Sequence, residues 1–217
     1  MSKITAIFFD LDGTIVDSEP LAAHVLKQCF QGWGIDLLES EANSIVGRTW
    51  AAALNELLGK YKMPVSKEEV FQTVIGAYEG ELEIHGPKAI PGAQQAVKTL
   101  SEKYSLALVT GSNHAEAHIN LKRLGIEKHF RFLHCSEDYR MSKPSPEPYQ
   151  TAMKRLGVAP DQSLVFEDSR AGIQSAKDAG AIVVAVSAAN HFRIDQSGAD
   201  LVIEDLTQVD LEWIKKF

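Results

Sequence analysis

Two textures of apolar positions divide this chain. Ile4–Phe9 is a short apolar run halted by Asp10, with Gly13 just beyond it. A run of that length closed by turn residues predicts a buried strand. From Ser18 the period changes. Ser18 followed by Glu19-Pro20 predicts a helix start, and Leu21, Val25, Leu26, Cys29, Phe30 and Trp33 follow at helical spacing until Gly32 and Gly34 stop the pattern. Leu37–Val46 and Thr49–Leu58 predict two further helices, with Gly47 and Gly59 as breaks. Ser66 with Glu69 three residues on is a capping-box signature, opening a helix that runs to Leu82 or Ile84. Residues 16–86 therefore predict helix with no strand signal.

At Ile90-Pro91-Gly92 short apolar runs return and alternate with helical patterns. Strands are predicted at 106–110, 130–135, 164–167, 182–186 and 201–203. Helices are predicted at 93–101, 114–124, 146–156 and 170–179, with a last short one carrying Trp213. Such alternation means βαβ units and a parallel sheet covered on both faces. The expected fold is α/β, a doubly wound parallel-sheet core formed by residues 1–15 and 87–217. Residues 16–86 are then an α-helical domain inserted after strand one.

Composition narrows the class. The chain has 217 residues, a hydrophobic fraction of 45% and a charged fraction of 24%, ordinary for a globular protein. A net charge of −7 and no run of Lys and Arg argue against general nucleic-acid binding. The apolar stretch at the N-terminus is too short for a signal or a membrane span, so no membrane association is expected and a cytoplasmic location is. Cys29 and Cys135 stand far apart without CxxC or Cys/His ligand spacing, which reads as free thiols. The seven histidines form no HExxH or other clustered ligand set, and Trp33, Trp50 and Trp213 read as packing residues.

The chemistry gathers where strands end, because open parallel sheets bind ligands at their carboxyl edge. Strand one ends in Asp10-Leu11-Asp12-Gly13-Thr14 and strand two in Thr110-Gly111-Ser112-Asn113. Ser142-Lys143-Pro144 precedes a later helix, and strand four ends in Glu167-Asp168-Ser169. Crowded carboxylates repel unless a cation neutralises them, and a hard divalent ion with oxygen ligands, Mg²⁺ above all, is the simplest remedy. Taken singly, each element has a plainer reading. Glu167 and Asp168 suit a helix N-terminus, Thr110-Gly111-Ser112 suits a cap, and Lys143 suits a solvated loop. Their co-occurrence in this order favours the functional reading.

DLDGT at 10–14, TGS at 110–112, Lys143-Pro144, and EDS at 167–169 with GIQSAKDAG at 172–180 together resemble the haloacid dehalogenase superfamily, in its branch of small phosphatases and phosphomutases with a helical cap after the first motif. The resemblance spans essentially the whole chain. It implies Mg²⁺-dependent hydrolysis of a small phosphorylated metabolite, such as a sugar phosphate or a phosphoglycolate-like acid. Asp10 is by resemblance the nucleophile, forming an aspartyl-phosphate. Asp12 is the general acid and then base, and its backbone carbonyl matches a metal ligand. Lys143 offsets charge on Asp10 and the transferring phosphate. Thr110, Gly111 and Ser112 hold phosphate oxygens. Asp168 completes a metal site with Asp10, and Glu167 joins it through water or as a partner of the direct ligands.

A sugar phosphomutase is the alternative. Mutase-like members carry a His on the first cap helix at the position matched to Ala22, and that departure favours simple hydrolysis. A dehalogenase needs neither Asp12 nor a metal. A receiver module that only stores an aspartyl-phosphate is shorter, lacks the insert, and carries its phospho-acceptor on a later strand. A fold relative that has lost its activity would not keep every motif residue. The chain is expected to act as a monomer. Arg48, at the helix break Gly47-Arg48-Thr49, is a candidate grip for a second anionic group of the substrate. Arg48→Ala is therefore expected to raise KM for the true substrate while barely affecting a small generic phosphate ester. Steady-state kinetics on both checks this, and equal loss on both would sink the assignment.

Overall fold

The structure, a computed structural model, describes residues 4–43, 49–191 and 193–217. The chain divides into two compact units, residues 1–17 with 88–217, and residues 18–87.

The first unit is built on β1 (Ala6–Phe9), β4 (Ser105–Val109), β5 (Phe130–His134), β6 (Ser163–Glu167), β7 (Ile182–Val186) and β8 (Leu201–Ile203). They form one six-stranded sheet in the order β5-β4-β1-β6-β7-β8 with every pairing parallel. Counting only these six strands, that is the doubly wound 3-2-1-4-5-6 order, whose topological switch point falls beside the first strand. β1 is central, and Ala6–Phe9 pairs with Ser105–Leu108 on one side and with Ser163–Phe166 on the other. The three strands therefore end level, which brings Asp10, Thr110 and Glu167 to one edge.

Alternation along the strands sorts side chains onto two faces. Ile7, Phe9, Leu106, Leu108, Leu164, Phe166, Val184 and Val186 share one buried cluster. It also takes in residues of α5 (Ala93–Ser101) and α6 (His114–Arg123), together with Trp213 and Ile214. The opposite face offers smaller residues, Ala6, Phe8, Ala107, Val109, Val165, Val183 and Ala185. They cluster with Tyr149, Ala152 and Met153 of α7 (Glu147–Leu156) and with Ile173 and Ala176 of α8 (Arg170–Asp178). At the centre of the first face the Phe9 and Phe166 rings stack at 4.9 Å, and Trp213 lies 6.1 Å from Phe166.

The second unit contains α1 (Glu19–Gly32), α2 (Glu39–Ala42), α3 (Trp50–Lys60) and α4 (Lys67–Ile84). Its core is Leu26, Phe30, Leu37, Leu54, Leu57, Val70 and Val74, the inward positions of each helical pattern. Thr49 and Ser66 cap α3 and α4 by accepting from the amides of Ala52 and Glu69. Ser18 holds the N-cap position of α1 without a side-chain capping bond. No helix among the described residues is long and apolar enough to cross a membrane.

The expected helices, strands and order are largely present, with three differences. Residues 16–86 hold a strand after all. β2 (Val16–Asp17) pairs antiparallel with β3 (Lys88–Ala89), a two-residue ribbon lying where the chain leaves the first unit and returns to it. Two residues carry no periodicity to read. The helix expected over Leu37–Val46 is reduced to Glu39–Ala42 among the described residues. Leu38 is extended, and the Glu41 carboxylate turns back to accept its N–H at 3.1 Å and the Tyr61 hydroxyl at 2.6 Å. The terminal helix is a 3-10 turn, Trp213–Lys216.

Removing an aromatic from the middle of the sheet leaves a cavity that its neighbours cannot fill. Phe166→Ala is expected to lower the unfolding free energy by about 3–5 kcal/mol, measurable as a shifted urea midpoint with an unchanged slope.

Candidate active site

Beyond β1 the chain makes a tight loop. Ile15 and Val16 both donate to the Leu11 carbonyl, at 2.8 and 3.0 Å, and Gly13 donates to Val16 at 2.7 Å. Gly13 sits at φ +80°, where a side chain is strained, and a Cβ there would lie 2.1 Å from the Asp168 carboxylate. Glycine thus lets the first-strand loop close against the end of β6.

Lys143 sits at the centre of the site. Its loop is fixed by Glu147 at the start of α7, whose carboxylate accepts the amides of Arg140 and Met141 at 2.9 and 3.0 Å. Ser175 of α8 also donates to the Ser145 carbonyl. Held so, the Lys143 ammonium donates to Asp10 Oδ1 at 2.6 Å, to Glu167 Oε1 at 2.6 Å and to the Val109 carbonyl at 3.0 Å, with its side chain only 10% exposed. Burial works against its charge, but the Asp10 and Glu167 carboxylates overrule that and raise its pKa well above the usual lysine range.

Glu167 is wholly buried, and each of its oxygens is engaged. Oε1 accepts from Lys143 and from the Tyr149 hydroxyl at 3.1 Å. Oε2 accepts from the amides of Asp168 and Ser169 and from the Ser169 hydroxyl. The room for this carboxylate comes from Gly172, where a Cβ would lie 1.7 Å from Oε1. Asp168 is steadied through its carbonyl, which accepts from Gln196 at 2.6 Å. A second linked set lies on the other side of β1. Ser112 donates its hydroxyl to Asp12 Oδ2 at 2.5 Å and its amide to Thr110 Oγ1 at 3.0 Å. Tyr139 donates to the Thr110 carbonyl. Gly111 is half-buried, with open space where a Cβ would stand.

The fold thus brings Asp10, Asp12, Thr110, Gly111, Ser112, Lys143, Glu167 and Asp168 to the carboxyl ends of β1, β4 and β6. Arg48 lies outside the described residues. Tyr149 and Gln196 were not anticipated. A tyrosine at helical spacing reads as core, and a glutamine in a loop carries no sequence signal.

Carboxylate oxygens of Asp10, Glu167 and Asp168, all buried, lie within 4.8 Å of one another. Burial lifts the Asp10 carboxyl well above the usual carboxylate range. Lys143 opposes the shift, and Glu167 and Asp12 add to it. Four acids against one ammonium leave an excess of negative charge in a dry place, and an all-oxygen donor set suits a hard divalent cation. Asp12, tied to Ser112, is not among the three clustered acids. Glu167, with both oxygens taken, fits the place of a partner that steadies the direct ligands.

The family model for haloacid dehalogenase-like hydrolases matches residues 7–186, and the chain belongs to that family. The chain is 31% identical over 178 residues to a phosphorylated carbohydrates phosphatase of Thermotoga maritima, with 81% of each chain covered. It is 31% identical over 202 residues to a validoxylamine A 7′-phosphate phosphatase of Streptomyces hygroscopicus subsp. limoneus, covering 93% of each. In fold it is similar to CbbY of Rhodobacter sphaeroides, solved in complex with phosphate. The TM-score is 0.87 at 20% identity, over 98% of this chain and 99% of that one.

Gly172→Ala is expected to force Glu167 out of its place, because neither the buried carboxylate nor the helix backbone has room to yield. The measurable results are a stability loss of about 2–4 kcal/mol and loss of any activity that depends on Lys143. A variant as stable as the parent would show that the carboxylate tolerates the methyl group.

Proposed function

We propose that this chain is a divalent-metal-dependent phosphatase that hydrolyses a small phosphorylated metabolite, with phosphorylated carbohydrates as the leading class. The observation that carries the reading is the buried Lys143 ammonium shared between Asp10 and Glu167, with Asp168 alongside, at the switch point of the sheet. The names of the two relatives support the substrate class. The helical unit is assigned the choice among phosphoesters.

In this reading an Asp10 carboxylate oxygen attacks phosphorus. The phosphorus–oxygen bond to the leaving group breaks as Asp12 gives that oxygen a proton. Asp12, now a carboxylate, takes a proton from water. The resulting hydroxide cleaves the aspartyl-phosphate, releasing inorganic phosphate and restoring Asp10. The Ser112 hydroxyl aims the Asp12 carboxylate. Lys143 offsets charge that grows on the transferring phosphoryl oxygens, and Thr110, Gly111 and Ser112 lie where β4 ends, to receive those oxygens. Asp10 and Asp168 would hold Mg²⁺, with Glu167 steadying the site, and the ion supplies neutralisation of the crowded carboxylates and withdrawal of charge from the phosphate. Phosphoryl transfer asks chiefly for this positioning and neutralisation.

Turnover of a generic phosphomonoester by the purified chain is expected to require Mg²⁺ and to stop on chelation. In Asp10→Asn it is expected to fall by several orders of magnitude. Turnover that survives in Asp10→Asn would remove Asp10 as nucleophile, and turnover indifferent to chelator would remove the metal.

A further inference from the structure

Tyr149 stands in the first turn of α7, wholly buried on the sheet face that carries Phe8 and Val165. A phenylalanine would fill the same space, and a hydroxyl taken into a core is costly unless it finds a partner. The partner it finds lies in the candidate active site. The Tyr149 hydroxyl donates to Glu167 Oε1 at 3.1 Å, and Lys143 donates to that same oxygen at 2.6 Å. The Lys143 ammonium also lies 5.0 Å from the centre of the Tyr149 ring, within reach of a cation–π attraction. Burial, with the Glu167 carboxylate beside it, lifts the hydroxyl well above the usual tyrosine range, and Lys143 only partly opposes this. Tyr149 is therefore a neutral donor that touches both members of the Lys143–Glu167 pair.

Lys143 is the group whose placement this affects. It has three protons and gives one each to Asp10 Oδ1 at 2.6 Å, Glu167 Oε1 at 2.6 Å and the Val109 carbonyl at 3.0 Å. Two carboxylates thus compete for one charge at equal distance. How it is shared depends on how much negative charge each acid has left to offer. Glu167 Oε2 is already taken by the amides of Asp168 and Ser169 and by the Ser169 hydroxyl. On Oε1, Tyr149 is the one donor besides Lys143 among the described residues. Without its hydroxyl, that oxygen would turn wholly to the ammonium.

We infer that Tyr149 is a positioning residue, whose hydroxyl occupies part of Glu167 Oε1 and so keeps the Lys143 ammonium shared with Asp10. The inference rests on the phosphatase reading and deepens it. As Asp10 attacks, it turns from a carboxylate into an acyl phosphate, and negative charge gathers on the phosphoryl oxygens. An ammonium held equally by two acids can follow that charge. One drawn to Glu167 alone would lag behind it and offset less of it in the transition state.

The ring and the hydroxyl of Tyr149 do different work. The ring belongs to the core cluster that joins α7 and α8 to the sheet, and its carbons need no oxygen to pack there. The hydroxyl serves only the charged pair. One substitution separates the two.

The test is Tyr149→Phe, which keeps every carbon of the ring and removes the hydroxyl alone. Two readouts are taken, one of them independent of catalysis. In protein labelled with ¹⁵N and ¹³C, the scalar couplings from Lys143 Nζ to the carboxyl carbons of Asp10 and Glu167 report how the ammonium is shared. In Tyr149→Phe the coupling to Glu167 is expected to grow and that to Asp10 to shrink. With a generic phosphomonoester at saturating Mg²⁺, kcat is expected to fall about tenfold, while KM changes by less than about twofold. Unchanged couplings would overturn the role whatever the activity does. An unchanged kcat, with or without a lowered unfolding midpoint, would make the hydroxyl a packing detail and overturn it too. If the parent hydrolyses no phosphomonoester, the phosphatase reading falls by itself, and the couplings still decide whether Tyr149 sets the sharing.

Discussion

The first unit is organised by one buried positive charge. An ammonium taken out of water is costly unless it is paired and fully hydrogen-bonded. Lys143 meets that condition with two carboxylates and one carbonyl. Its partners come from β1, β4 and β6, three adjacent strands, and its own loop leads into α7. The charge therefore fixes a helix to the centre of the sheet. Glu167 in turn is held by the first amides of the next loop and by Tyr149. Removing either acid would leave the ammonium underpaired, and removing the ammonium would leave buried acids facing one another.

That constraint explains why the residues around it are small or apolar. Gly172 makes room for the Glu167 carboxylate, and Gly13 makes room for that of Asp168. The strands that present these acids are buried on both faces, so nothing but their ends meets solvent. The alternation of large residues on one face and small ones on the other sets which helices pack where. It leaves the carboxyl edge as the place where polar groups collect.

How much of this was legible in the sequence follows from the range of each interaction. Short apolar runs stopped by polar or turn residues gave the strands, because burial on both faces imposes that pattern locally. The four motifs gave Asp10, Asp12, Lys143 and Asp168, because their co-occurrence in order at strand ends and in one loop outweighs the plainer reading that each has alone. The β2–β3 ribbon was not legible, since its two strands lie far apart in sequence and are two residues long. Tyr149 looked like any core aromatic, because its hydroxyl partner is on another element. The histidines looked scattered for the same reason. His114 meets Cys135 and Asp138 only when α6 and the turn after β5 are set side by side by the sheet.

The separation of Asp10 from Asp12 bears most directly on the proposed reaction. Two carboxylates two residues apart need different surroundings if one is to attack and the other to move a proton. Asp10 is bound to the Lys143 ammonium and clustered with Glu167 and Asp168, so it is one of several acids gathered about a single fixed positive charge. Asp12 lies outside that cluster and accepts from a neutral hydroxyl, that of Ser112, on the neighbouring strand's loop. A hydroxyl can remain bonded to a carboxyl group in either protonation state, since it donates or accepts as required. An ammonium can only donate, and its charge favours the carboxylate form over the protonated one. The partner given to each acid therefore matches the division of labour proposed for them, with a fixed charge beside the group that forms the bond and an adaptable dipole beside the group that carries the proton.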